Sequence, residues 1–154
     1  MTIRSTQFDD IYFSAEDGVA ETEYVFMRGN NLPAAWQGRP YFTICETGFG
    51  TGLNFLVAWE LFEQTCTDNQ KHLHFISFEK YPLTPDTIKD ALSPWAERFG
   101  TKIDMLCDRY PLRVSGWHRL DIAPNITLTV VFDDINNAIT GLDTTVVFRW
   151  LRAL

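Results

Sequence analysis

The sequence predicts an α/β protein built on a parallel sheet. Short β-prone runs alternate with helical stretches along the chain. A glycine cluster, Gly48, Gly50 and Gly52, joins the first strong run to the first strong helix. The three strongest runs each close on an acid: Glu46, Glu79 and Asp134. Ligands of such sheets bind beyond the carboxyl ends of the strands, so the acids fall where a site belongs.

Each element has its own signal. Phe8, Ile11, Tyr12 and Phe13 would bury one side of an extended or hairpin-like arm within the stretch Phe8 to Phe26. Gly29 to Pro33 reads as a turn into a short helix around Ala34 to Gln37. Tyr41 to Glu46 is a strand, and Leu53, Leu56, Val57 and Leu61 have helical spacing over Leu53 to Phe62. Strand, glycine turn and helix together open a Rossmann-type fold. Leu73 to Glu79 is a second strand. Pro82 and Pro85 mark a loop, a helix starts over Asp86 to Ala91, and Pro94 to Phe99 is another helical stretch. The β-branched run Ile126 to Phe132 is a third strand, Ile135 to Ile139 a short helix, and Thr145 to Phe148 starts a fourth strand. The division expected is an aromatic arm over 1–40, a Rossmann-like core over 41–148 and a tail over 149–154.

Composition narrows the function. At 154 residues, with 45% hydrophobic and 21% charged residues, the chain suits one domain with its own core. No apolar run approaches the roughly 20 residues of a membrane helix. The opening MTIRSTQFDD lacks a signal-peptide pattern, so a cytoplasmic protein is expected. Cys45, Cys66 and Cys107 are widely spaced and read as reduced packing residues. His72, His74 and His118 lack metal-ligand spacing, no metal is expected, and no nucleophile motif occurs. His72 and His74 alternate along what reads as a strand edge. With 13 basic against 20 acidic residues and a net charge of -7, a large nucleic-acid footprint is disfavoured.

The sharpest motif runs from Glu46 to Asn54, ETGFGTGLN. Its G-x-G-x-G spacing is neither the dinucleotide fingerprint nor a P-loop, and no lysine follows to hold phosphate. An acid just before the turn disfavours a pyrophosphate and suits a ligand with an ammonium group, such as the methionine part of S-adenosylmethionine. The alternative is a tight turn with no ligand, although clustered glycines cost helix stability. Glu79 sits where a ribose-binding acid belongs; the other reading is a solvated charge paired with Lys80. Asp134 would reach an adenine edge, with Asp133 competing, or would cap the helix that follows. One residue can do both.

The motifs together resemble the methyltransferase half of the bifunctional tRNA 5-methylaminomethyl-2-thiouridine biosynthesis proteins, the MnmC family. The likeness runs from about Gln7 to Leu142 through QFDDIYFS, ETGFGTGLNF (Glu46 to Phe55), SFEKYPLT (Ser77 to Thr84), Tyr110-Pro111, GWHR (Gly116 to Arg119) and FDDIN (Phe132 to Asn136). The resemblance implies a Rossmann-like methyltransferase fold. It also implies transfer of a methyl group from S-adenosylmethionine to the aminomethyl nitrogen of a wobble uridine in tRNA. FAD would belong to the fused oxidase half, which these residues do not include. Carried over, Glu46, Thr47, Gly48, Gly50, Gly52 and Asn54 hold the methionine end, Glu79 the ribose and Asp134 the adenine. Tyr12 and Phe13 of the arm lie near the cofactor.

One departure bears on activity. The family pattern continues after the fourth strand with Phe-Leu-Asp-Gly-Phe, whose aspartate is the expected base or amine-orienting group. Here Phe148-Arg149-Trp150-Leu151 stands instead, so the sheet is expected to be incomplete at the C-terminus, no catalytic residue is assigned, and activity is left open. A change of frame near Phe148 would produce such an ending: TTA-GAT-GGC-TT encodes Leu-Asp-Gly, and read two bases later it gives Arg-Trp-Leu, as at Arg149 to Leu151. Sequencing beyond the stop tests this, since the missing motif must then lie downstream in another frame. The alternatives are a non-catalytic S-adenosylmethionine-binding fragment, or a remnant that is unstable or associates through an exposed sheet edge.

Overall fold

A computed structural model describes residues 18–141 in full, together with the backbone of Thr2–Arg4, Ile11–Ser14 and Phe148–Trp150. The described elements are β1 (Thr2–Arg4), β2 (Ile11–Ser14), α1 (Gly18–Glu21), β3 (Tyr41–Thr47), α2 (Leu53–Thr65), β4 (His72–Glu79), α3 (Pro85–Leu92), α4 (Ala96–Arg109), β5 (Gly116–Ala123), β6 (Ile126–Phe132), α5 (Ile135–Ala138) and β7 (Phe148–Trp150). β1 and β2 form an antiparallel hairpin. The main sheet has the order β5-β6-β4-β3-β7, with β3, β4, β6 and β7 parallel. This is the Rossmann-like α/β arrangement expected from the alternation of strands and helices.

The sheet separates two cores, because successive strand residues face opposite ways. Phe42 and Ile44 of β3, Leu73 and Phe75 of β4, and Ile126, Leu128 and Val130 of β6 pack with the apolar sides of α2, α3 and α4. Helix α2 contributes Phe55, Leu56, Trp59 and Phe62. Phe55 meets Phe75 edge-on, with ring centroids 5.4 Å apart. Trp36 is fully buried, stands edge-on to Phe42 and Phe62, and donates from Nε1 to the Thr65 hydroxyl at 3.0 Å. It thereby pins the segment before β3 onto the end of α2. On the opposite face Cys45, Ile76, Phe78, Val131 and Ala138 form a smaller cluster beside α5.

The structure differs from the sequence reading in several places. The stretch Gly116 to Ala123 is a full strand, antiparallel to β6, so the sheet is mixed at that edge. Its residues alternate between half-buried and exposed up to Asp121, which is how a one-sided edge strand is built. The hairpin-like part of the arm holds at Ile11–Ser14, which is β2 of the hairpin, but later residues are helical: α1 passes into a wide π-type helical segment, Thr22–Met27, and a short 3-10 turn, Arg28–Asn30. The stretch Pro94 to Phe99 is a 3-10 turn, Ser93–Trp95, running into the 14-residue helix α4. His72 and His74 lie on the central strand β4, not at an edge, and their Nε2 atoms bond the Thr127 and Thr129 hydroxyls at 2.8 Å each. Burial pushes His74 down to about 4. Cys45 and Cys66 are buried and Cys107 is partly so, and burial pushes the Cys45 thiol up to about 12. Phe8 and the expected strand start at Thr145 fall outside the described residues.

Candidate functional site

Strands β3, β4 and β6 deliver Glu46, Glu79 and the pair Asp133-Asp134 to one end of the sheet, where parallel α/β sheets bind ligands. The glycine turn lies between β3 and α2. Gly48, Gly50 and Gly52 all have positive φ, at 79°, 55° and 83°, a backbone state that side chains strongly disfavour. Their roles divide. A Cβ on Gly52 would stand 2.7 Å from the Phe49 ring, so Gly52 is glycine for packing. A Cβ on Gly48 would meet nothing within 4 Å, so Gly48 presents bare backbone to open space. Thr47 and Gly48 are exposed, while Gly50 is buried. Helix α2 begins at Gly52 with no side-chain cap and no acid in its first turn. Its leading amide groups therefore have no side-chain partner from the cap position.

The turn and Glu79 form one unit. The Gly50 amide donates to Glu79 Oε2 at 2.9 Å, and the Tyr81 amide donates to Oε1 at 2.8 Å. Gly48 N also bonds the Phe78 carbonyl at 2.7 Å. A carboxylate has about four acceptor positions, so the two amides leave Glu79 able to accept more. The sequence alternative, a pairing of Glu79 with Lys80, is replaced: Lys80 Nζ sits 3.0 Å from Asp134 Oδ2.

Glu46 faces inward. It is 2% exposed, with Asn54 Nδ2 donating to one oxygen at 3.0 Å and Ser77 Oγ to the other at 2.9 Å. Asn54 in turn accepts from the Thr22 hydroxyl at 3.1 Å. This chain ties β3, β4, α2 and the segment after α1 together. Burial pushes the Glu46 carboxyl up to about 8, against the opposing effect of its two hydrogen bonds. Ser77 and Thr22 are members that sequence reading missed. A serine set among the apolar residues Phe75, Ile76 and Phe78 was the available signal for Ser77.

Asp134 does cap the following helix, accepting from the Asn136 amide at 2.9 Å. That bond and the Lys80 ammonium hold its carboxyl below the usual range. Asp133 accepts from the Asp134 amide at 2.7 Å. Both acids line an open cavity of about 380 Å³ with Lys80, Pro82, Arg113 and Phe132. Arg113 was not legible in the sequence, because a loop brings it over the end of β6. The side chains of Tyr12 and Phe13 lie outside the described residues; their backbone forms part of β2. Among the described residues no cluster suited to a metal ion occurs, and no helix is long and apolar enough to cross a membrane.

No family model matches the chain. Over 137 residues it is 44% identical to the tRNA 5-methylaminomethyl-2-thiouridine biosynthesis bifunctional protein MnmC of Legionella pneumophila, covering 85% of this chain and 20% of that protein. The protein of the same name from a Marinomonas species is 43% identical over 142 residues, with 90% and 21% covered. That from Acinetobacter baylyi is 45% identical over 120 residues, with 76% and 19% covered. The fold is similar to the crystal structure of MNMC2 from Aquifex aeolicus, with a TM-score of 0.68 at 22% identity over 92% of this chain and 42% of that one. The chain thus spans about a fifth of the length of the curated relatives it matches. Sequence identity, the glycine turn and the sheet agree: this chain is an MnmC-like segment with a Rossmann-like fold.

Proposed function

We propose that this chain binds S-adenosylmethionine at the carboxyl ends of β3, β4 and β6, as part of a tRNA wobble-uridine methyltransferase. The observation that carries the reading is the Gly50 amide on the Glu79 carboxylate, which locks a ligand-accepting turn to a ribose-accepting acid. The exposed backbone at Thr47 and Gly48 and the uncapped start of α2 suit the methionine carboxylate. Glu46 and Asn54 hold the turn from beneath, with Gly50 and Gly52 shaping it. Glu79 accepts the ribose hydroxyls, and the cavity beside Asp134 takes the adenine, with the Lys80 ion pair as its rim. Tyr12 and Phe13 remain proposed neighbours of the cofactor. S-adenosylmethionine supplies an activated methyl group, and the chain orients it.

The printed role of the relatives is biosynthesis of 5-methylaminomethyl-2-thiouridine in tRNA. Methyl transfer to an amine of that nucleoside is the matching reaction, with tRNA as partner. Holding donor and acceptor in line is the main demand of such a step, and the residues above serve the donor side. The test is calorimetric titration of the purified chain with S-adenosylmethionine beside Glu79→Ala. Binding that the variant loses by tenfold or more is expected. A parent chain that binds nothing, or a variant that binds equally well, overturns the reading.

A further inference from the structure

Seven large hydrophobic side chains are exposed among the described residues, and five of them gather at one place. Tyr81 follows the end of β4, and Ile139 follows α5, just past the end of β6. Leu112, Val114 and Trp117 lie before and at the start of β5. Because β5 runs antiparallel to β6, that start lies beside the end of β6. Single exposed apolar residues are ordinary, whereas grouped ones mark a surface that meets something.

Contacts join these residues. Trp117 is the cross-strand partner of Val131, and its ring stands edge-on to Phe78 at 5.8 Å. A Cβ on Gly141, two residues past Ile139, would lie 3.3 Å from the same ring. His118 Nε2 donates to the Val114 carbonyl at 2.7 Å and folds the loop back on β5. Arg113 and Ser115, which alternate with Leu112 and Val114, line the cavity together with Lys80 and Asn137. Lys80 lies over the Tyr81 ring, 5.5 Å from its centroid. Cavity and apolar rim are continuous.

The charge of the rim departs from that of the chain. From Arg109 to Leu120 there are three arginines and no acid, in a chain of net charge -7. Two neighbouring acids are matched, Asp121 by Arg119 and Asp134 by Lys80. Asp133 is the remaining acid of the cavity, and Arg113 has no ion-pair partner among the described residues. Cations and acids balance at the cavity, and the rim beyond it is basic.

We propose that this rim is a contact surface for a single-stranded loop of RNA, with an unstacked base laid on Trp117 and a phosphate beside Arg113. Exposed rings accept any base by stacking, and arginines hold the backbone. The inference rests on the tRNA reading above: a methyl group presented at the carboxyl ends of the strands reaches only a molecule that covers this end. It also fits the acidic composition, since the contact is local and uses few phosphates.

The test is fluorescence anisotropy of a labelled anticodon stem-loop RNA, with uridine at the first anticodon position, titrated with the full chain at two salt concentrations. Trp117→Ala is expected to weaken binding on the order of tenfold at both. Arg113→Gln is expected to weaken it most at low salt and to lower the salt slope by roughly one, which a mere loss of stability would not do. Tyr24→Ala, which removes an exposed ring from the segment after α1, is expected to change nothing. Trp117 and Arg113 variants that bind within twofold of the parent overturn the inference and leave the tRNA reading standing. An equal loss in Tyr24→Ala overturns it in favour of diffuse attraction. Self-association that Trp117→Ala abolishes while RNA affinity holds assigns the rim to a second copy instead. A parent chain that binds no RNA sinks the inference and the tRNA reading together, and the S-adenosylmethionine titration still decides the cofactor separately.

Discussion

At the level of single residues, Glu46 shows how one carboxyl can be given over to architecture. Its two oxygens are taken by Asn54 and Ser77, and burial pushes it up to about 8. A carboxyl raised in the folded state favours the protonated form there. Its contribution to stability is full below the unfolded value and is lost as pH rises through the folded one. The stability of the chain is therefore expected to fall as pH rises from about 4.5 to 8, by roughly 1.4 kcal/mol at most for each pH step of one within that window. His74 works the other way: held down to about 4 by burial, it makes the fold lose stability as pH drops below about 6.5. Urea unfolding of the parent and Glu46→Gln at pH values of about 5.5 and 8 separates the two. The variant is expected to lose the fall in stability toward pH 8 and, with His74 left, to be the more stable at the higher pH, whereas a fall as large as the parent's would assign it to other groups.

At the level of elements, α3 follows directly on the loop Lys80 to Leu83, whose Lys80 and Pro82 line the cavity beside Asp134. Its start is built from Thr84, whose hydroxyl accepts from the Thr87 amide at 3.2 Å, and from Pro85 at the first helical position. Thr84→Ala is expected to cost about 1 kcal/mol, seen as a fall in melting temperature of a few degrees for a chain of this size. Helix α2 contrasts with it. It starts at Gly52 with no side-chain cap, and its stability comes from burying Phe55, Trp59 and Phe62 rather than from its first turn. A helix anchored in this way can leave its leading amides free for a ligand.

At the level of the whole molecule, the parallel strands put β4 at the centre, hydrogen-bonded on both sides, with β5 at an edge. The β5 edge carries the charged pair Arg119 and Asp121, 3.5 Å apart, which discourages further strand pairing there. Hydrogen exchange followed by mass spectrometry is expected to leave the β4 and β6 amides among the slowest and β5 markedly faster. Equal protection across β4 and β5 would contradict this order. The same layering explains the site: only the central strands bring acids together, and Glu46, Glu79 and Asp134 arrive from three of them.

The sequence by itself determined the Rossmann-like layout and the end of the sheet at which the strand-end acids gather. Strand and helix periods are local, and positive-φ glycines and strand-end acids mark that end without reference to distant residues. It read the glycine turn, Glu79 and the helix-capping role of Asp134 from neighbours within a few positions. Tertiary structure alone decided the pairings across long separations. Lys80 goes to Asp134 rather than Glu79, Glu46 closes on Ser77 and Asn54 rather than facing outward, and Tyr110 lies against Phe49 with its hydroxyl alone. It also turned GWHRLDIA into an edge strand, since a half-polar alternation becomes β-structure only where a neighbouring strand supplies the hydrogen bonds. Which polar atoms are buried, and with whom, depends on how sheet, turn and helix come together, and no local pattern carries that information.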